Sequence, residues 1–207
     1  MINLIISDTK RSLKYLEEIL KHKININKII LYSNKKENLI SKFIKNKNII
    51  SLLVYCRTRS INSPIISHKL NFYKSKFNIV STYPGEIIKN SSILKKKLLH
   101  CHPGDLPKFK GSTTIYYTIL LKKKICVTLF LMNKKIDSGK IVYKKYFKYP
   151  KKLKHIEENF DNEIRALTLA EFLKLKNKPL YKNINKSFVP YYIAHPIIRH
   201  IVINKKY

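Results

Sequence analysis

The chain has 207 residues, and 43 Lys and Arg against 12 Asp and Glu leave a formal charge of +31. An apolar share of 44% is ordinary for a globular protein and excludes a disordered polyelectrolyte, while the length suits one full core plus a small appendage. The charge invites a nucleic-acid partner, but the lysines are spread along the whole chain while Gly is scarce and Trp absent, which favours compositional drift over a binding patch.

In chain order, Ile2 to Ser7 is an apolar run that suits a buried first strand, and Asp8-Thr9 after it suits a helix N-cap, with Asp8 read as the cap. Leu13, Leu16, Ile19 and Leu20 recur at helical spacing. Lys28 to Tyr32 is a second strand, Leu39, Phe43 and Ile44 mark a second helix, and Ile49 to Tyr55 is a third strand. This alternation predicts an α/β fold with a mostly parallel, doubly wound, Rossmann-like sheet flanked by helices. Ser60 to Pro64 is a loop, followed by a helix to about Lys74, a strand from Phe77 to Ser81 and a turn at Tyr83-Pro84-Gly85. Leu98 to His102 is a short strand stopped by Pro103-Gly104, and Ser112 opens a helix to Leu121 as its N-cap. Cys126 to Met132 and Lys140 to Phe147 are strands, and Glu157 to Leu175 is an amphipathic helix with Ile164, Leu167, Leu169 and Phe172 as its apolar residues. The tail from Phe188 to Ile203 docks as a strand or short helix. The expected division is a catalytic domain over 1–180 with an extension over 181–207 docked on it.

Cys56, Cys101 and Cys126 form no CxxC pair and read as buried free thiols in a reducing compartment. The N-terminus lacks a basic n-region, and the apolar stretch around Ile125 to Met132 is too short to span a bilayer, so a cytoplasmic protein is expected. No glycine precedes Gly85, which rules out a dinucleotide fingerprint in the first βα turn, and there is no P-loop or Gly-x-Ser-x-Gly elbow.

All four glycines, Gly85, Gly104, Gly111 and Gly139, fall in the middle third, which places the demanding backbone geometry, and the site, between about residues 83 and 140. The acids on or beside predicted helices (Glu17, Glu18, Glu37, Glu157, Glu158, Asp161, Glu163 and Glu171) read as solvated or capping, which leaves Glu86, Asp105 and Asp137 for chemistry. His100 and His102 alternate on one strand and so point to one face. Three readings are open: a metal pair, for which Asp137 could be a third ligand but no further His or Cys is suitably placed; imidazoles satisfied in the core; and acid–base catalysis with Asp137 as the orienting carboxylate.

His100 to Gly111, HCHPGDLPKFKG, resembles the Asn-x-His-Pro-x-x-Leu-Pro-x-x-x-Gly signature of the folate-dependent formyltransferases. Val127 to Met132, then Asp137-Ser138-Gly139 and Ile141, is similar to the second motif of the same family. The resemblance is strong over residues 77 to 147 and implies a catalytic set of His100, His102 and Asp137, with His100 standing where the family has Asn. It implies formyl transfer from 10-formyltetrahydrofolate, as co-substrate, to a primary amine, with no metal. Tyr83, Pro84, Gly85, Glu86 and Ile87, together with Asn133, Lys134, Lys135 and Ile136, would line the cofactor cleft.

Among acceptors, the glycine-free Asp8-Thr9-Lys10-Arg11-Ser12 turn argues against a ribonucleotide, and the short chain argues against the extra domain of the tRNA enzymes. A nucleotide-linked amino sugar is the expected acceptor, with Asn62, Ser63, Ser112, Thr113 and Thr114 as candidate contacts. The alternatives are a methionyl-tRNA formyltransferase-like enzyme, an RNA-binding protein on a degenerate formyltransferase fold, and a folate-dependent hydrolase that releases formate. No membrane span is expected, and a homodimer is held open.

Overall fold

A computed structural model describes residues 1–150, 153–176 and 188–204. The chain forms two compact units, Met1–His100 and Cys101–Tyr207. The expected boundary after residue 180 lies outside the described residues. Among the described residues no helix is long and apolar enough to cross a membrane.

The first unit alternates strands and helices: β1 (Ile2–Ser7), α1 (Lys10–Lys21), β2 (Ile26–Tyr32), α2 (Leu39–Asn46), β3 (Leu53–Cys56), α3 (Pro64–Phe72), β4 (Asn78–Ser81), α4 (Ser91–Leu94) and the start of β5 (Leu98–His102). The strand order is β3-β2-β1-β4-β5, and the pairings are parallel. All six residues of β1 are buried, because Leu4 pairs with Ile29 on one side and Ile79 on the other and both sheet faces are covered. The order reverses between β1 and β4, the place where open α/β sheets leave a crevice at the carboxyl ends of their strands.

Several boundaries differ from the sequence expectation, and two of the differences have a local cause. The cap of α1 is Thr9, whose hydroxyl accepts from the Ser12 N–H, and not Asp8. Asp8 instead accepts from the Leu39 backbone, and burial raises its carboxyl pKa against the charge of Lys35. The third strand starts at Leu53, because Ile50–Leu52 forms a 3₁₀ turn that leaves Ile50 exposed.

In the second unit the end of β5 is followed in strand order by β6 (Ile125–Leu131) and β7 (Lys140–Phe147), an antiparallel pair with a register shift between Leu129 and Phe130. Helices α5 (Thr114–Leu120), α6 (Asn162–Lys174) and α7 (Pro196–Ile203) complete it. The N-cap expected at Ser112 falls one residue later, at Thr113, and the Ser112 N–H donates to the Tyr191 carbonyl at 3.0 Å. Thr113 then carries the chain into α5 through a left-handed turn, φ 50°.

The late helix also departs from expectation. It opens as a π-turn over Glu157–Asp161, and α6 is buried around most of its circumference, including Asn162, Arg165 and Thr168. An amphipathic surface helix would expose those polar residues. Instead Asp161 and Arg165 form a buried two-point pair, with contacts of 3.0 and 2.7 Å, and Arg165 also reaches the Cys101 carbonyl. Glu157 pairs with Arg199 at 3.0 Å and Glu171 with Lys145, so three of the acids expected on a solvated or capping face hold the second unit together.

Candidate active site

His102 ends β5 with its ring 3% exposed. Its Nε2 lies 2.6 Å from the Phe109 carbonyl oxygen, and since a carbonyl only accepts, Nε2 is the donor there. Its Nδ1 lies 3.5 Å from Asp137 Oδ2, inside ion-pair range and longer than a well-formed hydrogen bond. Asp137 sits on the β6–β7 connection in a left-handed conformation, φ 44°, and its Oδ2 also accepts from the Gly111 N–H at 2.8 Å. His102 and Asp137 are therefore neighbours in the second unit.

The segment from Pro103 to Gly111 holds the two groups together. The Thr128 hydroxyl on β6 donates to the Gly104 carbonyl at 2.6 Å and accepts from the Leu106 N–H at 3.2 Å. Thr114 donates to the Pro103 carbonyl at 2.5 Å, and Lys144 reaches both Asp105 and the Leu106 carbonyl at 2.5 Å. Leu106 packs in a core cluster with Phe130 and Ile141. A Cβ at Gly104 would lie 2.3 Å from the Phe109 oxygen and 2.7 Å from His102 Nε2, so the glycine is what lets the segment close around the imidazole. Sequence reasoning missed Thr128 and Lys144. Thr128 was visible as a lone hydroxyl in an apolar run, but its partners lie more than twenty residues upstream.

Within the first unit, Tyr83, Pro84, Gly85 and Glu86 line a cavity of about 650 Å³ with Thr58, Arg59 and Ser60. The Glu86 carboxylate accepts from the Tyr32 hydroxyl at 2.7 Å and the Ile61 N–H at 2.6 Å. Burial, with the Glu86 charge beside it, raises the pKa of Tyr32, which therefore stays a donor. The Arg59 guanidinium stands 5.9 Å from the Tyr83 ring centroid. Ile87, expected as a fifth lining residue, is half exposed, and its carbonyl accepts from Asn62.

Other expected residues are committed elsewhere. The Asn62 side chain binds the backbone of Ile87, Lys89 and Asn90. Ser63 precedes α3 without a side-chain cap bond. Thr114 is fully buried, its hydroxyl engaged as above, and the Thr113 hydroxyl accepts from the Ala194 N–H. Ser112 is half-buried. Asn133, Lys134, Lys135 and Ile136 form the exposed approach to Asp137, where Asn133 closes a small turn by binding the Ser138 carbonyl and the Lys135 N–H. His100 is half-buried, and its Nδ1 faces the Val80 carbonyl at 3.2 Å. Among the described residues no group of three His, Cys, Asp or Glu is placed to hold a metal. The three cysteines are free and buried.

The chain thus combines a mostly parallel α/β fold with a buried imidazole facing a carboxylate on the β6–β7 connection. A model of the formyl transferase family matches residues 1–165, and the chain belongs to that family. A methionyl-tRNA formyltransferase from Rickettsia bellii is 33% identical over 103 residues, which cover 46% of this chain and 34% of that protein. The match thus spans about a third of that relative's length. A sugar N-formyltransferase from a Shewanella species superposes with a TM-score of 0.64 at 17% identity, covering 98% of this chain and 86% of that one. A phosphoribosylglycinamide formyltransferase from Streptococcus pneumoniae gives 0.63 at 14% identity, covering 82% and 94%. At these identities the structural matches establish a shared fold.

Proposed function

We propose that this protein transfers a formyl group from 10-formyltetrahydrofolate to the primary amine of a nucleotide-linked amino sugar. The observation that carries the reading is the pairing of the buried His102 with Asp137, held by a segment whose sequence resembles the family signature. The cofactor supplies an activated formyl carbon for attack by the amine. Residues Tyr83 to Glu86 suit its planar head, since they offer a ring, backbone edges and a carboxylate in a cavity of fitting size. Ile87 and Asn133 to Ile136 are proposed as further cofactor contacts.

In this reading His102 stabilises the negative charge that develops on the formyl oxygen. Its Nε2–H donates to the Phe109 carbonyl, which fixes the ring beside Asp137. Asp137 orients the imidazole and accepts the proton that the amine loses on its way to the leaving nitrogen. His100 is the proposed second oxyanion donor. With Nδ1 turned to the Val80 carbonyl, its Nε2 donates only when the ring carries both protons, unlike an amide.

The acceptor reading is supported by the first βα turn. Ser12 and Arg11 fold onto Ser81 and Thr82, filling with side chains the place where a phosphate-binding glycine loop would stand. The charge of +31 and the Rickettsia relative favour a second reading, formylation of an aminoacyl-tRNA. Incubation with 10-formyltetrahydrofolate and each acceptor, read by mass spectrometry, tests both. The expected result is a formylated sugar nucleotide and unmodified tRNA. Formylated tRNA would replace the first reading with the second, and formate released without an acceptor would replace both with a hydrolase.

A further inference from the structure

We propose that Tyr191 is a positioning residue for the His102–Asp137 pair, acting as a strap across the segment that holds them; this rests on the catalytic reading of the pair. The Tyr191 N–H donates to the Lys110 carbonyl at 2.8 Å, and its carbonyl accepts from Ser112 at 3.0 Å, so its backbone brackets Gly111 on both sides. Gly111 has φ 102°, and a Cβ there would lie 2.2 Å from the Tyr191 oxygen, so the strap seats directly on the glycine. That same glycine donates its N–H to Asp137.

The Tyr191 ring performs the matching task on the other side of the pair. It stacks on Phe109 with centroids 5.5 Å apart and planes 8° from parallel, and it packs on Tyr117 of α5 at 4.5 Å. Phe109 is the residue whose carbonyl holds His102 Nε2. One residue far along the chain therefore packs on Phe109 and pairs alongside Gly111, the two residues whose backbone groups bind the imidazole and the carboxylate. The strap is itself fastened: Ala194 donates to Thr113, and Arg199 binds both the Ala194 carbonyl and Glu157.

A strap of this kind acts on kcat more than on substrate affinity, because it sets the relation of the two groups to the reacting carbon. The test compares Tyr191→Phe, Tyr191→Ala and Tyr191→Pro. The phenylalanine variant keeps ring and N–H and should turn over like the wild type. The alanine variant should lose about tenfold in kcat, and the proline variant about 10²-fold, with KM for folate nearly constant. A second readout needs no activity: the rate at which diethyl pyrocarbonate acylates His102, followed by mass spectrometry. His102 should be protected in the wild type and the phenylalanine variant and exposed in the other two, with melting curves confirming that each is folded. Should the proline variant fail to fold, the phenylalanine–alanine pair decides. Unchanged kcat and unchanged His102 protection in folded variants would overturn the strap. A wild type that transfers no formyl group would instead overturn the proposed function, and the protection ratios would still decide the strap.

Discussion

Asp137 and Thr128 divide the work of the site between charge and geometry. The left-handed backbone of Asp137 is one that Asn adopts as readily as Asp, and an amide oxygen can still accept from Gly111. Asp137→Asn therefore removes the charge facing His102 and leaves the fold in place. We expect kcat to drop by about 10²–10⁴-fold with an unchanged melting temperature; a matching loss of stability would show that the carboxylate is structural. Thr128 is the converse case. Thr128→Val strips partners from the buried Gly104 carbonyl and Leu106 N–H, at a cost of about 1–3 kcal/mol measured by urea unfolding. His102 and Asp137 were legible in the sequence because each motif carries a rare residue type beside Pro or Gly. The contacts of Tyr191 and Thr113 were not, because a backbone bridge joins Tyr191 to Gly111 and the Thr113 hydroxyl accepts from Ala194, each across some eighty residues.

Elements differ in how much of themselves the sequence disclosed. Strands β1, β5 and β7 have the bounds that their apolar runs and flanking breaks predict. The helix α6 reads as amphipathic in the sequence, but its Arg165 is paired with Asp161 in the interior, which composition cannot reveal. At its entry, burial raises the pKa of the Glu157 carboxyl even though Arg199 lies 3.0 Å away, so desolvation outweighs the ion pair. A carboxyl that holds its proton more tightly when folded stabilises the fold at low pH and loses that contribution as pH rises through its folded value. The wild type should therefore lose stability, relative to Glu157→Gln, as pH rises upward from 4.5, measured by chemical denaturation at each pH. Parallel profiles would mean that Glu157 does not titrate differently on folding.

At the scale of the whole molecule the charge of +31 raises the question of nucleic acid. A drift origin predicts RNA binding that fades by about 10³–10⁵ between low and moderate salt, with formyl transfer undisturbed by added RNA. Competitive inhibition by RNA at moderate salt would instead make the charge part of the acceptor site. The claim on which the account depends is that His102 carries the reaction. The most direct measurement is the single-turnover rate of formyl transfer by His102→Ala, with bound folate matched to the wild type by calorimetry. The account predicts a rate lower by about 10²–10⁴-fold at equal folate occupancy. Transfer at the wild-type rate from that variant would contradict it.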